Sequence, residues 1–178
     1  MFNLIGQEYE RRYGLRYEHL ARIAEINIGN ARRNPLAQTR GWAYTPESFT
    51  ADDDANPVIE GMIRRQDCGQ VTDGAAAVVL ASPAFAARWA QQRGIDLTDV
   101  PRITGWGHRT AHLQLAAKLQ RSAGDAYVFP HVRTAITDAF RRAQIADVFT
   151  LDGIETHDCF TTTEYMAVGP VGRTPRGE

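Results

Sequence analysis

Apolar residues recur at helical spacing in four stretches of the chain. The first runs from Phe2 to Tyr13 and stops at Gly14, since glycine adopts the positive φ angles that close helices. The second runs from Leu20 to Ala31 and stops at Asn34-Pro35, because proline cannot continue the hydrogen-bond ladder. The other two predicted helices extend from Ser82-Pro83 to Gly94 and from Val132 to Ala143.

Three shorter stretches have the composition of β-strands. Ala75 to Leu80 is a run of small and then β-branched residues, which suits a strand buried on both faces. Pro101 to Trp106 and Val148 to Glu155 are the other two candidates. Strands that alternate with helices need crossover connections, which favour a parallel or mixed sheet covered by helices. The predicted fold class is therefore α/β.

The segment from Leu36 to Asp67 interrupts this alternation. It contains Gly41, Pro46, the acidic run Asp52 to Asp54 and Pro57, and it shows no sustained period. Loops of this length in compact domains are either functional or flexible. Two interpretations stay open, a ligand-facing segment and a solvated connector.

The composition narrows the class of protein. The 178 residues include 43% hydrophobic and 23% charged side chains, values typical of globular domains. A formal net charge of -1 offers no field that attracts nucleic acid. The longest apolar runs fall short of the roughly 20 residues that cross a bilayer. Residues 1–9 lack the pattern of a secretory signal, and two cysteines are too few for a disulfide framework, so we expect a cytoplasmic protein.

Candidate catalytic residues lie in the stretch Thr156-His157-Asp158-Cys159-Phe160, at the end of the third predicted strand. Thr161 and Glu164 follow with the spacing of a capping box, which predicts that a helix begins there. The carboxyl end of a strand is a common ligand crevice, and a helix N-terminus stabilises negative charge. The structural alternative has equal weight, because a lone histidine or cysteine is usually a packing residue.

Two other arrangements are weaker candidates. A Cys-His hydrolase would need His157 and Cys159 to face each other as base and nucleophile, and residues two apart are not placed in that way. His108 and His112 have the spacing of metal ligands on a helix, but Arg109 stands where a zinc peptidase has glutamate. We therefore expect neither a thiol hydrolase nor a metal site.

Two segments together resemble the thiolase family. Asp67 to Leu80 contains Thr72-Asp73-Gly74-Ala75-Ala76 and resembles the strand that closes the N-terminal half of thiolases. Gly153 to Phe160 contains His157-Asp158-Cys159-Phe160 and resembles the motif of the sterol-carrier-protein-x branch, where other thiolases have Asn-Glu-Ala-Phe. Ile103 to Gly107, between them, is also similar to this branch. The resemblance covers almost the whole chain and less than half of a typical family member.

The resemblance implies a thiolase-like α/β/α/β/α layered fold that is incomplete in this chain. Residues 1–82 would form the end of the N-terminal half with its loop region, residues 83–168 the start of the C-terminal half, and residues 169–178 an aberrant or disordered tail. The implied activity is that of an acyl-CoA acyltransferase of lipid metabolism, acting by Claisen condensation or by thiolysis of 3-ketoacyl-CoA. Coenzyme A thioester is the implied substrate, and no permanently bound cofactor is expected.

The same resemblance assigns roles to individual residues. His157 would be an oxyanion-hole donor that holds the enolate or thioester oxygen, an interaction that contributes about 3 kcal/mol in enzymes of this kind. Asp158 and Cys159 would support the loop, and Glu155 would orient His157. Gly69 stands where many thiolases have a serine that contacts coenzyme A. Neither of the two catalytic cysteines of the family has a counterpart in this sequence.

The missing cysteines predict that the isolated chain is inactive. We expect the helix that opens at Thr161 to end at Gly169-Pro170, where relatives continue it, and we interpret this change as a frameshift or premature end. Two alternatives stay open, a thiolase-like carbon–carbon lyase for steroid side-chain CoA esters and a non-catalytic thiolase-like subunit. We expect the complete protein to form a homo-oligomer, with a possible partner protein but without nucleic acid or a membrane span.

Overall fold

The computed structural model describes residues 1–172 and is mostly helical, with one small sheet. Its helices are α1 (Phe2–Tyr13), α2 (Tyr17–Arg33), α3 (Pro83–Arg93), α4 (Leu115–Arg121), α5 (Pro130–Ala143) and α6 (Thr161–Val171). Its strands β1 (Val58–Glu60) and β2 (Ile63–Arg64) form an antiparallel hairpin. The layered α/β/α/β/α arrangement and the division of the chain at residue 82 stay predictions.

The first three helices end as the sequence predicts. Gly14 follows α1 with a φ of 77°. Asn34 follows α2 in an extended conformation, which is the one that a following proline imposes. Ser82 caps α3 by accepting a hydrogen bond from the Phe85 N–H at 3.3 Å, and Gly94 closes the helix in the left-handed conformation. These local signals agree with the structure because each acts within one helical turn.

The core lies where α1 and α6 meet the residues that lead into α5. Ile5, Val128 and Met166 are buried at its centre. Larger side chains pack around them: Phe2, Tyr9, Tyr13, Leu115, Leu119 and Phe129. Helix α6 also packs against α2 and α5, so it is the element through which the two ends of the chain meet. Burying a side chain such as Ile5, Val128 or Met166 contributes about 1.5–3 kcal/mol to folding.

The stretch Ala75 to Leu80 is not a strand in the structure, which corrects the first strand prediction. The whole stretch is exposed, with Val79 at 92% exposure, and it forms no ladder with another segment of residues 1–172. A strand is stabilised by hydrogen bonds to a neighbouring strand and by packing on its faces. The composition of Ala75 to Leu80 suits a buried strand, but no neighbouring strand pairs with this stretch among the described residues.

The second predicted strand, Pro101 to Trp106, is also irregular, and side-chain contacts hold it against α5 instead. The Arg142 guanidinium lies 4.9 Å from the Trp106 ring centroid and donates to the Trp106 carbonyl. A Cβ at Gly105 or Gly107 would collide with backbone carbonyls of α5. The two glycines therefore let the chain lie directly on the helix, without a strand partner.

The third predicted strand, Val148 to Glu155, begins instead with a short 3₁₀ turn, Val148–Thr150. The Asp147 carboxylate accepts a hydrogen bond from the Phe149 N–H at 2.9 Å. Such local side-chain to backbone bonds compete with strand pairing, which explains the difference. Residues 151–158 contain no helix or strand.

The predicted excursion from Leu36 to Asp67 has little regular structure beyond 3₁₀ turns and the β1–β2 hairpin. Asn56 is fully buried and organises it. Its amide donates to the Tyr17 hydroxyl at 2.6 Å and to the Thr50 carbonyl at 2.9 Å, and its carbonyl accepts from the Gln66 N–H at 3.0 Å. The excursion is therefore fastened to α2 by a buried amide.

Helix α6 runs past its predicted end at Gly169. It extends to Val171 and contains Pro170 in its last turn, where proline removes one hydrogen bond of the helix. The Pro170 carbonyl accepts a hydrogen bond from Arg133 of α5 at 2.5 Å, and Gly172, with a φ of 95°, ends the helix. The rest of the predicted tail, residues 173–178, lies outside the described residues.

Candidate functional site at the start of the last helix

The two segments that carry the family resemblance meet in space through residues that lie far apart in the sequence. Cys68 and Phe160 form an isolated antiparallel bridge, and the Gly69 N–H donates to the Cys159 carbonyl at 2.8 Å. A Cβ at Gly69 would lie 2.9 Å from that carbonyl oxygen, closer than real Cβ atoms approach. Gly69 thus has a packing reason to be glycine, and its contact with coenzyme A stays a prediction.

Asp67 forms hydrogen bonds both to the end of the excursion and to the start of α6. Its side chain is buried and accepts hydrogen bonds from the Arg64 N–H at 2.7 Å and from the Thr161 hydroxyl at 2.8 Å. Burial raises the pKa of Asp67, and the two hydrogen bonds oppose the rise by stabilising the charged carboxylate. The start of α6 is therefore tied to the end of the excursion by a buried polar pair.

The same contact corrects the predicted capping box. Thr161 and Glu164 were expected to cap the helix, but the N-cap position is Phe160, whose side chain makes no capping hydrogen bond. Thr161 is the first residue of the helix, and its hydroxyl donates to Asp67 instead. A buried carboxylate competes successfully for the hydroxyl because it has no water to bind.

Asn27 joins two acidic residues of the site and was not predicted to do so. Its Nδ2 donates to Asp158 Oδ2 at 2.6 Å and to Glu164 Oε2 at 2.9 Å. Its position on the otherwise apolar stripe of α2 was a signal for such a role, because an amide facing a core needs partners. Asn27 thus links α2 to the His157-Asp158 turn.

Asp158 lies in an environment that disfavours its charge. Its second oxygen, Oδ1, is buried and has no hydrogen-bond partner among the described residues. Burial is the largest cause that raises the pKa of Asp158, and the carboxylates of Glu164 and Asp67 act in the same direction. The hydrogen bond from Asn27 opposes them. Asn27 therefore binds one oxygen of the Asp158 carboxylate, and the other oxygen has no hydrogen bond within residues 1–172.

His157, the predicted oxyanion donor, is exposed at the edge of this polar cluster. Glu155 is exposed as well, and the structure records no hydrogen bond between the two within residues 1–172. The expectation that Glu155 orients His157 stays a prediction. The backbone of Cys159 and the side chain of Asp158 both form hydrogen bonds to other segments. The backbone that carries the His157 ring is therefore held on its C-terminal side.

Neither cysteine is placed next to a base. Cys159 Sγ lies 3.9 Å from the Thr163 hydroxyl, its side-chain hydrogen-bond partner on α6. Cys68 Sγ donates to the Arg64 carbonyl at 3.5 Å, and burial raises the pKa of the Cys68 thiol. A raised pKa keeps this thiol protonated and unreactive at neutral pH.

Two structural tests concern cofactors and membranes. Among residues 1–172, no group of three histidine, cysteine or acidic residues has a geometry that could hold a metal ion. Within the same residues, every helix is too short or too polar to cross a bilayer.

The sequence is similar along its whole length to curated proteins of three names. It is 29% identical over 180 positions to the acetyl-CoA acetyltransferase of Methanothermobacter thermautotrophicus, of which it covers 42%. It is 25% identical over 180 positions to sterol carrier protein 2 of Homo sapiens, of which it covers 30%. A Caenorhabditis elegans protein named non-specific lipid-transfer protein-like 2 is 27% identical over 184 positions, of which the chain covers 40%.

The chain thus spans less than half the length of these three relatives. No family model matches the sequence. No solved structure matches it either. The similarities support a thiolase-like chain.

Proposed function

We propose that this chain supplies part of the active site of an acyl-CoA acyltransferase of the thiolase type. The observation that carries the proposal is its similarity, over its full length, to a protein named acetyl-CoA acetyltransferase. The bridge between Cys68 and Phe160 supports it, because that bridge joins the two segments that resemble thiolases. Condensation or thiolysis of a 3-ketoacyl-CoA in the cytoplasm, by a homo-oligomer or with a partner protein, is the reaction that we infer.

In this proposal His157 donates a hydrogen bond to the oxygen of the thioester or enolate. An oxyanion donor must be held rigidly while its N–H points to open space. Asn27 holds the neighbouring Asp158, and the Gly69 N–H holds the Cys159 backbone, so the turn is held on the C-terminal side of the ring. Exposure of His157 leaves its ring free for a substrate oxygen. The nucleophilic cysteine of the reaction would come from outside these residues.

A chimera tests the role of His157. The chain would replace the aligned portion of the Methanothermobacter acetyl-CoA acetyltransferase, and thiolysis of acetoacetyl-CoA would be measured. We expect an active chimera and a loss of roughly 10²–10³-fold in kcat on His157→Ala, the range for one oxyanion donor. The matched control is His108→Ala, an exposed histidine outside the site. Equal rates for His157→Ala and His108→Ala would contradict the proposal.

The purified 178-residue chain provides the second measurement. We expect it to show no thiolysis alone, because the proposal places the nucleophile outside the chain. Turnover by the purified chain would contradict that placement. A chain that does not bind acetyl-CoA and a chimera without activity would together contradict the acyltransferase function.

A non-catalytic lipid-binding role is the second candidate function. The observation that favours it is the similarity to proteins named sterol carrier protein 2 and non-specific lipid-transfer protein-like 2. Under this alternative the chain binds a fatty acyl-CoA, and His157→Ala changes neither binding nor any rate in the chimera. The chimera assay therefore separates the two functions.

A further inference from the structure

An open basic cleft lies between α4, the segment before it and the start of α5. Its volume is ≈ 480 Å³, and its polar and basic lining residues are Thr110, His112, Lys118, Arg121 and His131. The cleft does not include the His157 turn or any other residue of the site described above. It is therefore a separate feature of the molecule.

Within residues 1–172, no ion pair involves the cationic side chains that line this cleft. No acidic residue lines it, and in the described part of the chain neither Lys118 nor Arg121 forms an ion pair. Some cations elsewhere in the described residues are paired, as Arg12 is with Glu8 at 2.6 Å and Arg64 with Asp53 at 2.7 Å. Lys118 and Arg121 lie three residues apart on α4, so both project on the same side of the helix.

The two histidines add hydrogen-bond donors. Arg121 Nη1 lies 2.8 Å from His112 Nε2. A guanidinium only donates, so Nε2 accepts and the ring proton lies on Nδ1, which remains available as a donor. His131, at the start of α5, is half-buried, and its pKa is lowered by burial and by the charge of Lys118. Lys118 and His131 both line the cleft, so the ammonium charge acts on the imidazole ring.

We propose that this cleft binds phosphate groups, such as those at the nucleotide end of coenzyme A or those of a free diphosphate. Guanidinium, ammonium, imidazole and the Thr110 hydroxyl are the donors that phosphate oxygens accept in proteins, and charge-assisted bonds are the strongest of them. The cleft is open enough to admit a ligand whose remaining portion extends along the surface. Only the coenzyme A version of the inference rests on the proposed function, because phosphate binding needs no acyl transfer.

Titration of the 178-residue chain tests the inference. Pyrophosphate, coenzyme A and pantetheine, which lacks the nucleotide and its phosphates, would be added while His131 is followed by NMR and affinity by calorimetry. We expect pyrophosphate and coenzyme A to bind and to raise the pKa of His131, and pantetheine to leave it unchanged. The variant Lys118→Gln with Arg121→Gln should bind at least about tenfold more weakly. Arg88→Gln is the control, an exposed cation on α3.

Each outcome has a defined meaning. Binding of pyrophosphate but not of coenzyme A supports a diphosphate site and rejects the coenzyme version. Equal weakening by Arg88→Gln, or no binding of any phosphate ligand, overturns the inference. His112→Gln, which removes no charge, gives a second variant if the double substitution changes the circular dichroism spectrum. Failure here leaves the His157 chimera result intact, so the two proposals fail independently.

Discussion

The Thr161 hydroxyl donates a 2.8 Å hydrogen bond to the carboxylate of Asp67, 94 positions earlier in the chain. Both residues are almost fully buried, with exposures of 2% and 1%. This bond joins the end of the excursion to the first residue of α6, directly beside the bridge between Cys68 and Phe160. It is therefore a contact on which both the fold and the candidate site depend.

Removing this hydroxyl should destabilise the protein. Thr161→Val keeps the shape of the side chain but leaves a buried carboxylate oxygen without its partner, which costs about 1–3 kcal/mol in the free energy of unfolding. Urea denaturation followed by circular dichroism measures the change. Thr134→Val is the control, because the Thr134 hydroxyl lies on the exposed face of α5 and should matter by less than about 0.5 kcal/mol. Equal midpoints for the two variants would contradict the importance of the buried pair.

Two glycines of the same segment should respond differently to alanine. At Gly69 an added Cβ would press on the Cys159 carbonyl, whereas at Gly74 it would meet no atom within 4 Å. We expect Gly69→Ala to lower the free energy of unfolding by about 1–3 kcal/mol, the usual range for overpacking. Gly74→Ala should change it by less than about 1 kcal/mol, and in the stabilising direction. Comparable losses for both variants would show that the segment is not held at Gly69.

Helices α1, α2, α3 and α5 could be predicted from the sequence because their signals are local, whereas the short helix α4 was not predicted. Gly14, Asn34-Pro35 and Gly94 act within a turn of the helix that they end, and the structure places a helix end at each of them. The hairpin at Gly61 could not be predicted in this way. It depends on the buried Asn3 of α1, whose carbonyl accepts from the Met62 N–H at 3.2 Å.

The strands could not be predicted, because a strand depends on a neighbour elsewhere. The composition of Ala75 to Leu80 is that of a buried strand, yet the structure leaves the stretch exposed and unpaired within the described residues. The candidate site could be predicted from the sequence in part. The sequence located the His157-Asp158-Cys159 turn before a helix, but not Asn27, whose partners lie 131 and 137 positions away.

Two neighbouring arginines of α1 bind the same carboxylate and should contribute very differently to stability. Arg12 is buried, pairs with Glu8 and also donates to the Ser122 carbonyl at 2.9 Å, which ties α1 to the end of α4. Arg11 pairs with Glu8 on the exposed surface. Arg12→Met should cost about 1.5–3 kcal/mol in the free energy of unfolding, and Arg11→Met less than about 1 kcal/mol. Equal effects in urea denaturation would refute the role of the Ser122 contact.

Asp158 should make stability depend on pH in the opposite sense to an ordinary surface carboxylate. Burial raises its folded-state pKa above the ordinary aspartate value of 3.8, so folding shifts its equilibrium toward the neutral acid. The stability that protonation confers is complete below the unfolded pKa and is lost as the pH rises through the folded pKa. Asp158→Asn keeps an acceptor for Asn27 without the charge, so at pH 7 it should have a higher free energy of unfolding than the wild type. The difference should disappear below pH 3.8, and a variant that is equally or less stable at pH 7 in urea denaturation would show that the buried charge is compensated.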